Sequence, residues 1–399
     1  MKRILTVVVA LAFSAACGVL LTEAPAAGDS FDEPIDGLTA LELAAFVEGD
    51  VQFGKTFSPA NGLGPIFNDN ACAACHSGDG RGRKENALTR FSIGLDPAYA
   101  YGGPQLQHRA IAGAEAEFLP PGMDVSVRLP PPVAGAGLIE AIPESAILAN
   151  VDSLDANGDG VSGRPNWVTP AGWVPETEPG AGPARRVGRF SRKAQVSSIF
   201  QQTTEAYYQD MGITSDFLSV ENHNPHASRA THVSDRVGDP EIPAATVHSV
   251  VNYLRMLAAV VPGTDTPQRQ QGATLFQSVG CAACHVPELR TGPSRVGALA
   301  NRPVRLFSDL LLHDMGPGLA DNRPDGSATG REWRTEPLWG LRLMRQFLNG
   351  DAFLLHDGRA GSVEEAILLH GGEGQGARDR FNALTAADRA ALLDFVESR

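Results

Sequence analysis

Positive charge, cysteine and long apolar runs are all scarce in this chain of 399 residues. Lysine and arginine number 33 against 46 aspartates and glutamates, for a formal net charge of −13. A nucleic-acid-binding face needs clustered cations, so the deficit argues against that class. It suits instead the docking of a small basic protein. Beyond Leu21 no stretch is long and apolar enough to span a bilayer. With only 5 cysteines, little is left for a disulfide framework.

The first residues read as an export signal. Lys2 and Arg3 precede an apolar run from Ile4 to Leu21, then small residues through Ala24-Pro25-Ala26-Ala27. Cleavage is expected near Ala26 or Ala27, which predicts a periplasmic protein. Cys17, preceded by Ser14-Ala15-Ala16 and followed by Gly18, resembles a lipoprotein box without its usual leucine. Lipidation there would tether the protein to a membrane. The apolar residues that continue to Leu21 argue for ordinary cleavage.

Four of the five cysteines fall in two copies of one pentapeptide, Cys-Ala-Ala-Cys-His, at Cys72–His76 and Cys281–His285. This is the attachment signature of c-type haem. Cys72 and Cys75, and likewise Cys281 and Cys284, would add to the porphyrin vinyls as thioethers. His76 and His285 would ligate each iron from the proximal side. A zinc knuckle or a redox Cys-x-x-Cys would not require a following histidine in both copies, and no further cysteine pair is present. Two covalently bound haem c groups are therefore expected. Export agrees, since such attachment takes place outside the cytoplasm.

Residues 28–242 are expected to form an N-terminal haem c domain with a loop-rich insertion, and 243–399 a C-terminal cytochrome c-like domain. Periodicity predicts helices over 38–48, 188–211 and 243–258, the last with Val247, Val250, Val251, Leu254 and Leu257 as one apolar stripe. Thr266-Pro267 marks a further helix start. Thr385 with Asp388 caps the last helix. From 91 to 188 the chain is rich in Gly and Pro and reads as loops and short helices. Within it, Asp155, Asn157 and Asp159 stand at positions 1, 3 and 5 of a calcium-type loop, with the Val161 carbonyl as a fourth donor. Position 12 is Asn166 rather than glutamate, so the alternative is an Asx-rich turn without metal. Calcium would brace the region over the first haem.

Several longer motifs carry a resemblance. Phe307–Asp321 (FSDLLLHDMGPGLAD), Glu332–Leu341 (EWRTEPLWGL), His356–Ala360 (HDGRA) and Glu364–Glu373 (EEAILLHGGE) lie in the second half. Gly62–Phe67 (GLGPIF), Gly102–Gln107 (GGPQLQ) and Gly137–Pro143 (GLIEAIP) lie in the first. Together they resemble the bacterial di-haem oxidoreductase (DHOR) family, a distant relative of the di-haem cytochrome c peroxidases and MauG-like enzymes. The resemblance implies an all-α fold of two cytochrome c-like haem domains with long loop-rich insertions. It also implies reduction of hydrogen peroxide, with electrons from a small periplasmic donor (a cytochrome c or cupredoxin) relayed from the C-terminal to the N-terminal haem. The alternative is a non-catalytic di-haem electron carrier.

In the relatives the distal ligand of the second haem follows a His-(Asp/Asn)-Gly motif at a fixed distance. Counting likewise from His356-Asp357-Gly358 lands on His370, with Met315 as the alternative ligand. No motif nominates a strong distal ligand for the first haem, which suits a peroxide-reactive iron. The relatives handle the peroxide proton with a Glu and a Gln. Glu140, flanked by apolar residues that would raise its pKa, is the expected acid–base group, with Gln105 and Gln107 as its polar partners. The competing reading of Glu140 is a helix-capping or Arg-paired carboxylate. Arg189, Arg192 and Lys193 are read as haem propionate partners or as a solvated face.

Overall fold

The computed structural model describes residues 28–76, 78, 80–228 and 231–399. The expected signal sequence and Cys17 lie outside the described residues. Among the described residues no helix is long and apolar enough to cross a membrane.

Helix Ala40–Phe53 begins at a capping box: the Thr39 hydroxyl accepts from the Glu42 amide and the Glu42 carboxylate accepts from the Thr39 amide. It buries Phe46 and Phe53 against helix Ala244–Met256, whose buried Val247, Val250, Val251 and Leu254 are the stripe anticipated above. Gly49 permits the close approach, since a Cβ there would sit 2.3 Å from the Ser249 carbonyl oxygen. Helix Ile199–Met211 packs into the same cluster through Phe200, Tyr207 and Met211. In the second half, Thr266 caps helix Pro267–Ser278 and Thr385 caps helix Ala386–Glu397, as the cap residues predict. These two meet at Gly272, where a Cβ would lie 2.1 Å from the Ala391 oxygen. Phe276, Phe307, Leu392 and Phe395 fill the core around them.

The expectation of an all-α fold is overturned. The chain is mixed, with helices, loops and five two-stranded antiparallel sheets among the described residues. The longest pairs Leu88–Ser92 with Asp124–Arg128. Successive side chains alternate between the two faces of the ribbon, and both faces bury residues: Ser126 and Arg128 on one, Phe91, paired with Val125, on the other. The surrounding Gly and Pro hid that alternation. The predicted 188–211 helix shortens for a related reason. Its first half runs as irregular backbone with an isolated Phe190–Val196 bridge, and the helix starts only after its cap at Ser198. The expected boundary at 242/243 falls directly ahead of a helix that packs into the N-terminal cluster.

Nor do Arg189, Arg192 and Lys193 form a solvated face: all three are buried. Lys193 Nζ donates to Asp321 Oδ1 at 2.7 Å and to the carbonyls of Arg323 and Thr329 at 2.7 and 2.8 Å, which uses all three of its protons. Breaking a buried pair strands its partner, although Arg128 near the other Asp321 oxygen limits the loss. Lys193→Met is therefore expected to cost about 3 kcal/mol in a urea titration.

Candidate functional site

Each Cys-x-x-Cys-His stretch opens onto its own cavity. Cys72, Cys75 and His76 line the first, and Cys281, Cys284 and His285 line the second. Cys72–Cys75 is a single helical turn and Cys281–Ala283 a single 3-10 turn, so each sulfur pair sits on one short segment with its histidine next in the chain. Burial lowers the pKa of His76 and of His285 to about 4, despite favourable backbone contacts. Both imidazoles are therefore neutral, the state that ligates a metal.

In the second cavity His285 Nδ1 lies 2.9 Å from the Phe307 carbonyl and His370 Nδ1 lies 2.6 Å from the Ala366 carbonyl. Donation to these acceptors fixes both tautomers and leaves each Nε2 with its lone pair. Burial lowers the pKa of His370 too, offset in part by the Ala366 contact. His370 ends helix Val363–Leu369, and it lines the cavity rather than capping an exposed surface. Met315 lines the same wall. A Cβ on Gly374 would lie 3.1 Å from His370 Cβ and 3.2 Å from Met315 Cε, so the two candidate ligands are neighbours.

His313 is also on this wall, held by Asp309 at 2.8 Å and Glu373 at 2.7 Å. Burial opposes its charge, but the bonds to Asp309, Cys284 and Glu373 prevail and raise its pKa well above the usual value. It is a charged structural histidine, 3.5 Å from Cys284 Sγ. Arg81, Arg192 and Arg334 surround Glu336 on the same cavity and, against the cost of burying it, hold its carboxyl down at about 2. Three guanidinium groups with one carboxylate leave a surplus of cation, and Arg81 Nε has no partner among the described residues. Such a surplus fits the acidic substituents of a porphyrin.

The first cavity is lined differently. One face of the 199–211 helix presents Gln202, Thr203, Glu205, Gln209 and Asp210 to it. Gln202 Oε1, Thr203 Oγ1 and Arg90 Nε on this wall are buried without partners among the described residues. His76 Nδ1 likewise makes no hydrogen bond of good geometry. Burial raises the pKa of Glu205, opposed by a 2.8 Å bond from Gln201 and by Arg90, and raises Asp210 to about 6. Met211 also reaches this cavity from the hydrophobic cluster. Polar atoms facing a cavity without partners, beside a neutral imidazole and a thiol pair, fit a haem and a small polar ligand.

Of the expected catalytic residues, only Gln105 lines the first cavity, where it donates to Asp210 and to the Gln209 carbonyl. Gln107 is buried elsewhere, bonded to Ile66 and Asn222. Glu140 reaches neither cavity. Arg255 pairs with it at 2.6 Å and the Ile199 amide donates to it at 2.8 Å, so it anchors the start of the 199–211 helix. The proposed acid–base group is thus corrected to a structural carboxylate. Glu205 and Asp210 were missed, although Gln202, Glu205 and Gln209 at helical spacing are a polar stripe the sequence displays.

The candidate calcium loop also lies elsewhere than expected: Asp159 and Val161 border the second cavity, not the first. Its side chains accept from the loop's own amides, Asp155 from Gly160, Asn157 from Asp159 and Asp159 from Val161. That is the Asx-turn arrangement.

A shared wall separates the cavities. Arg192 lines both. Trp333 and His356, stacked at 3.6 Å between ring centroids, line the second. Arg128, 5.7 Å from the Trp333 ring, and Leu129, whose amide donates to the His356 carbonyl at 2.9 Å, line the first.

Two cavities so built mark the chain as a di-haem redox protein. Residues 14–91 and 112–399 match the family described as "Di-haem oxidoreductase, putative peroxidase", and the chain belongs to that family. No curated protein matches it. Among solved structures, hydrazine synthase of Kuenenia stuttgartiensis under xenon pressure is 14% identical with a TM-score of 0.39, covering 95% of each chain. A MauG-like protein associated with microbial copper homeostasis is 14% identical with a TM-score of 0.31, covering 67% of this chain and 88% of that one. Likenesses this loose carry no argument about fold or activity.

Proposed function

We propose that the protein is an exported c-type di-haem oxidoreductase that reduces hydrogen peroxide at the first cavity. Electrons from a small basic donor would enter through the second. The single observation behind this reading is the asymmetry of the two cavities. The second offers two neutral imidazoles, His285 and His370, each with Nδ1 tied down. The first offers one imidazole, His76, with carboxyl and amide groups instead of a second.

A haem with both axial positions filled passes electrons, and one with an open position binds and reduces peroxide. Around the first, burial raises the pKa of Glu205, which would hold the peroxide proton more readily than an exposed carboxyl, and Gln105 fixes the orientation of Asp210. Around the second, Arg81, Arg192 and Arg334 would hold the acidic substituents of a haem. Trp333, stacked on His356, and Arg192 stand in the wall between.

Met211 supports a second reading. A buried thioether on the first cavity is a strong-ligand candidate, and with it both positions would be filled and the protein would be an electron carrier. Electron paramagnetic resonance of the oxidised and half-reduced protein separates the two. A high-spin signal together with peroxide-dependent donor oxidation supports the enzyme. Two low-spin irons with no donor oxidation in either state sink it. Covalent attachment is checked first, by a protein mass that retains two porphyrins after denaturation and acid–acetone washing.

A further inference from the structure

The ribbon of Leu88–Ser92 and Asp124–Arg128 carries two arginines on one face. In its antiparallel register Arg90 stands opposite Ser126 and Leu88 opposite Arg128, so Arg90 and Arg128 project to the same side. Both line the first cavity, together with Leu88 and Arg192. An isolated bridge from Arg90 to Gln105 ties the ribbon to another residue of that wall.

The three arginines of the wall are not equivalent. Arg128 donates to Ser126 at 2.8 Å, to Gln195 at 3.1 Å and to Asp325. Arg192 pairs with Glu336 at 3.0 Å and donates to the Leu129 carbonyl at 3.1 Å. The Arg90 guanidinium forms no hydrogen bond or ion pair among the described residues, and its Nε is buried. Burial lowers its pKa only to about 10, so it is a cation at neutral pH. The acids on the wall are engaged elsewhere: Glu205 by Gln201 at 2.8 Å, Asp210 by Gln105, and Asp69 by Arg109 at 3.7 Å. A cation taken out of water without a counter-ion destabilises the fold, and an anion in the cavity would offset that cost.

We propose that Arg90 binds a propionate carboxylate of the first haem. This rests on a haem occupying the first cavity, and not on its reaction with peroxide. Thioether formation consumes the vinyl groups and leaves both propionates ionised, so a haem enclosed here brings two carboxylates to a wall with one spare cation. The guanidinium fork matches a carboxylate through paired hydrogen bonds. Arg90 thus serves the first cavity as Arg81, Arg192 and Arg334 would serve the second.

The test is a spectroelectrochemical titration of the haem-loaded protein over a range of pH, with wild type beside Arg90→Met and Arg90→Lys. A cation beside a propionate favours the reduced iron. Arg90→Met should therefore make the first haem at least tenfold harder to reduce, a midpoint about 59 mV lower for one electron, and leave the second haem unmoved. Its midpoint should also fall more steeply with rising pH than in wild type, because the unpaired propionate takes up a proton on reduction. Arg90→Lys, which keeps the charge, should recover most of the loss. Should Arg90→Met fail to fold, Arg90→Gln takes its place with the same expectation. An unchanged midpoint overturns the proposal, as does a fall of equal size in Arg90→Lys. An unchanged midpoint with azide binding to the first haem weakened at least tenfold assigns Arg90 to an anion on the iron instead. Donor oxidation by peroxide is assayed separately, so its absence defeats the peroxide reading while the redox titration still decides Arg90.

Discussion

Glu205→Gln lowers peroxide turnover by about 10²–10⁴-fold while haem content and both reduction potentials stay as they were: this is the expected result if Glu205 carries the proton. The substitution keeps an oxygen for the 2.8 Å bond from Gln201 and removes only the ionisable group. Direction and pH limb both follow from burial. Burial raises the Glu205 pKa above its ordinary 4.5, against the opposing Gln201 bond and Arg90 charge. A base works only when ionised, so wild-type turnover should fall as pH drops through that raised pKa, and the variant should lack this limb.

Stability moves the other way. The folded carboxyl prefers its proton more than the unfolded one does, so folding loses stability as pH rises from 4.5 to the raised pKa and does not regain it above. Glu205→Gln should thus keep or raise the thermal midpoint at neutral pH. Full turnover with an unchanged acid limb in the variant would exclude Glu205 and leave Asp210 as the proton carrier.

His370→Met should raise the midpoint potential of the second haem by on the order of 0.1 V, since a thioether in place of an imidazole favours the reduced iron. The readout is a spectroelectrochemical titration, with low-spin resonance parameters moving from bis-imidazole to imidazole–thioether values. His370 stands beside Met315, so the new thioether would enter a wall that already accommodates one. Peroxide turnover should fall only as far as the second haem reduces the first more weakly. An unchanged potential and unchanged resonance would show that His370 is no ligand and return the role to Met315.

Much of the molecule was legible along the chain. The caps at Thr266 and Thr385 and the 247–254 stripe are written in windows shorter than one helix, and the structure carries them as read. His370 was reached by counting along a motif, and the fold places it on the wall of the second cavity, beside Met315. The 88–92 and 124–128 strands were hidden because each is only five residues long, and their partnership spans a loop-rich stretch. Glu140 was misread because apolar flanks look the same around a tuned acid and around a buried anchor. What distinguishes them is Arg255, 115 residues away, and the Ile199 amide, 59 residues away.

By itself the sequence determined what is local: where two thiols and an imidazole share one turn, where helices begin, and that two such units exist. Only the tertiary structure decided which polar residues face each cavity and that Glu205 rather than Glu140 lines the first. The physical reason is range. Attachment and capping depend on neighbours a few residues apart, whereas burial, desolvation and charge pairing depend on partners that the chain brings together only when it folds.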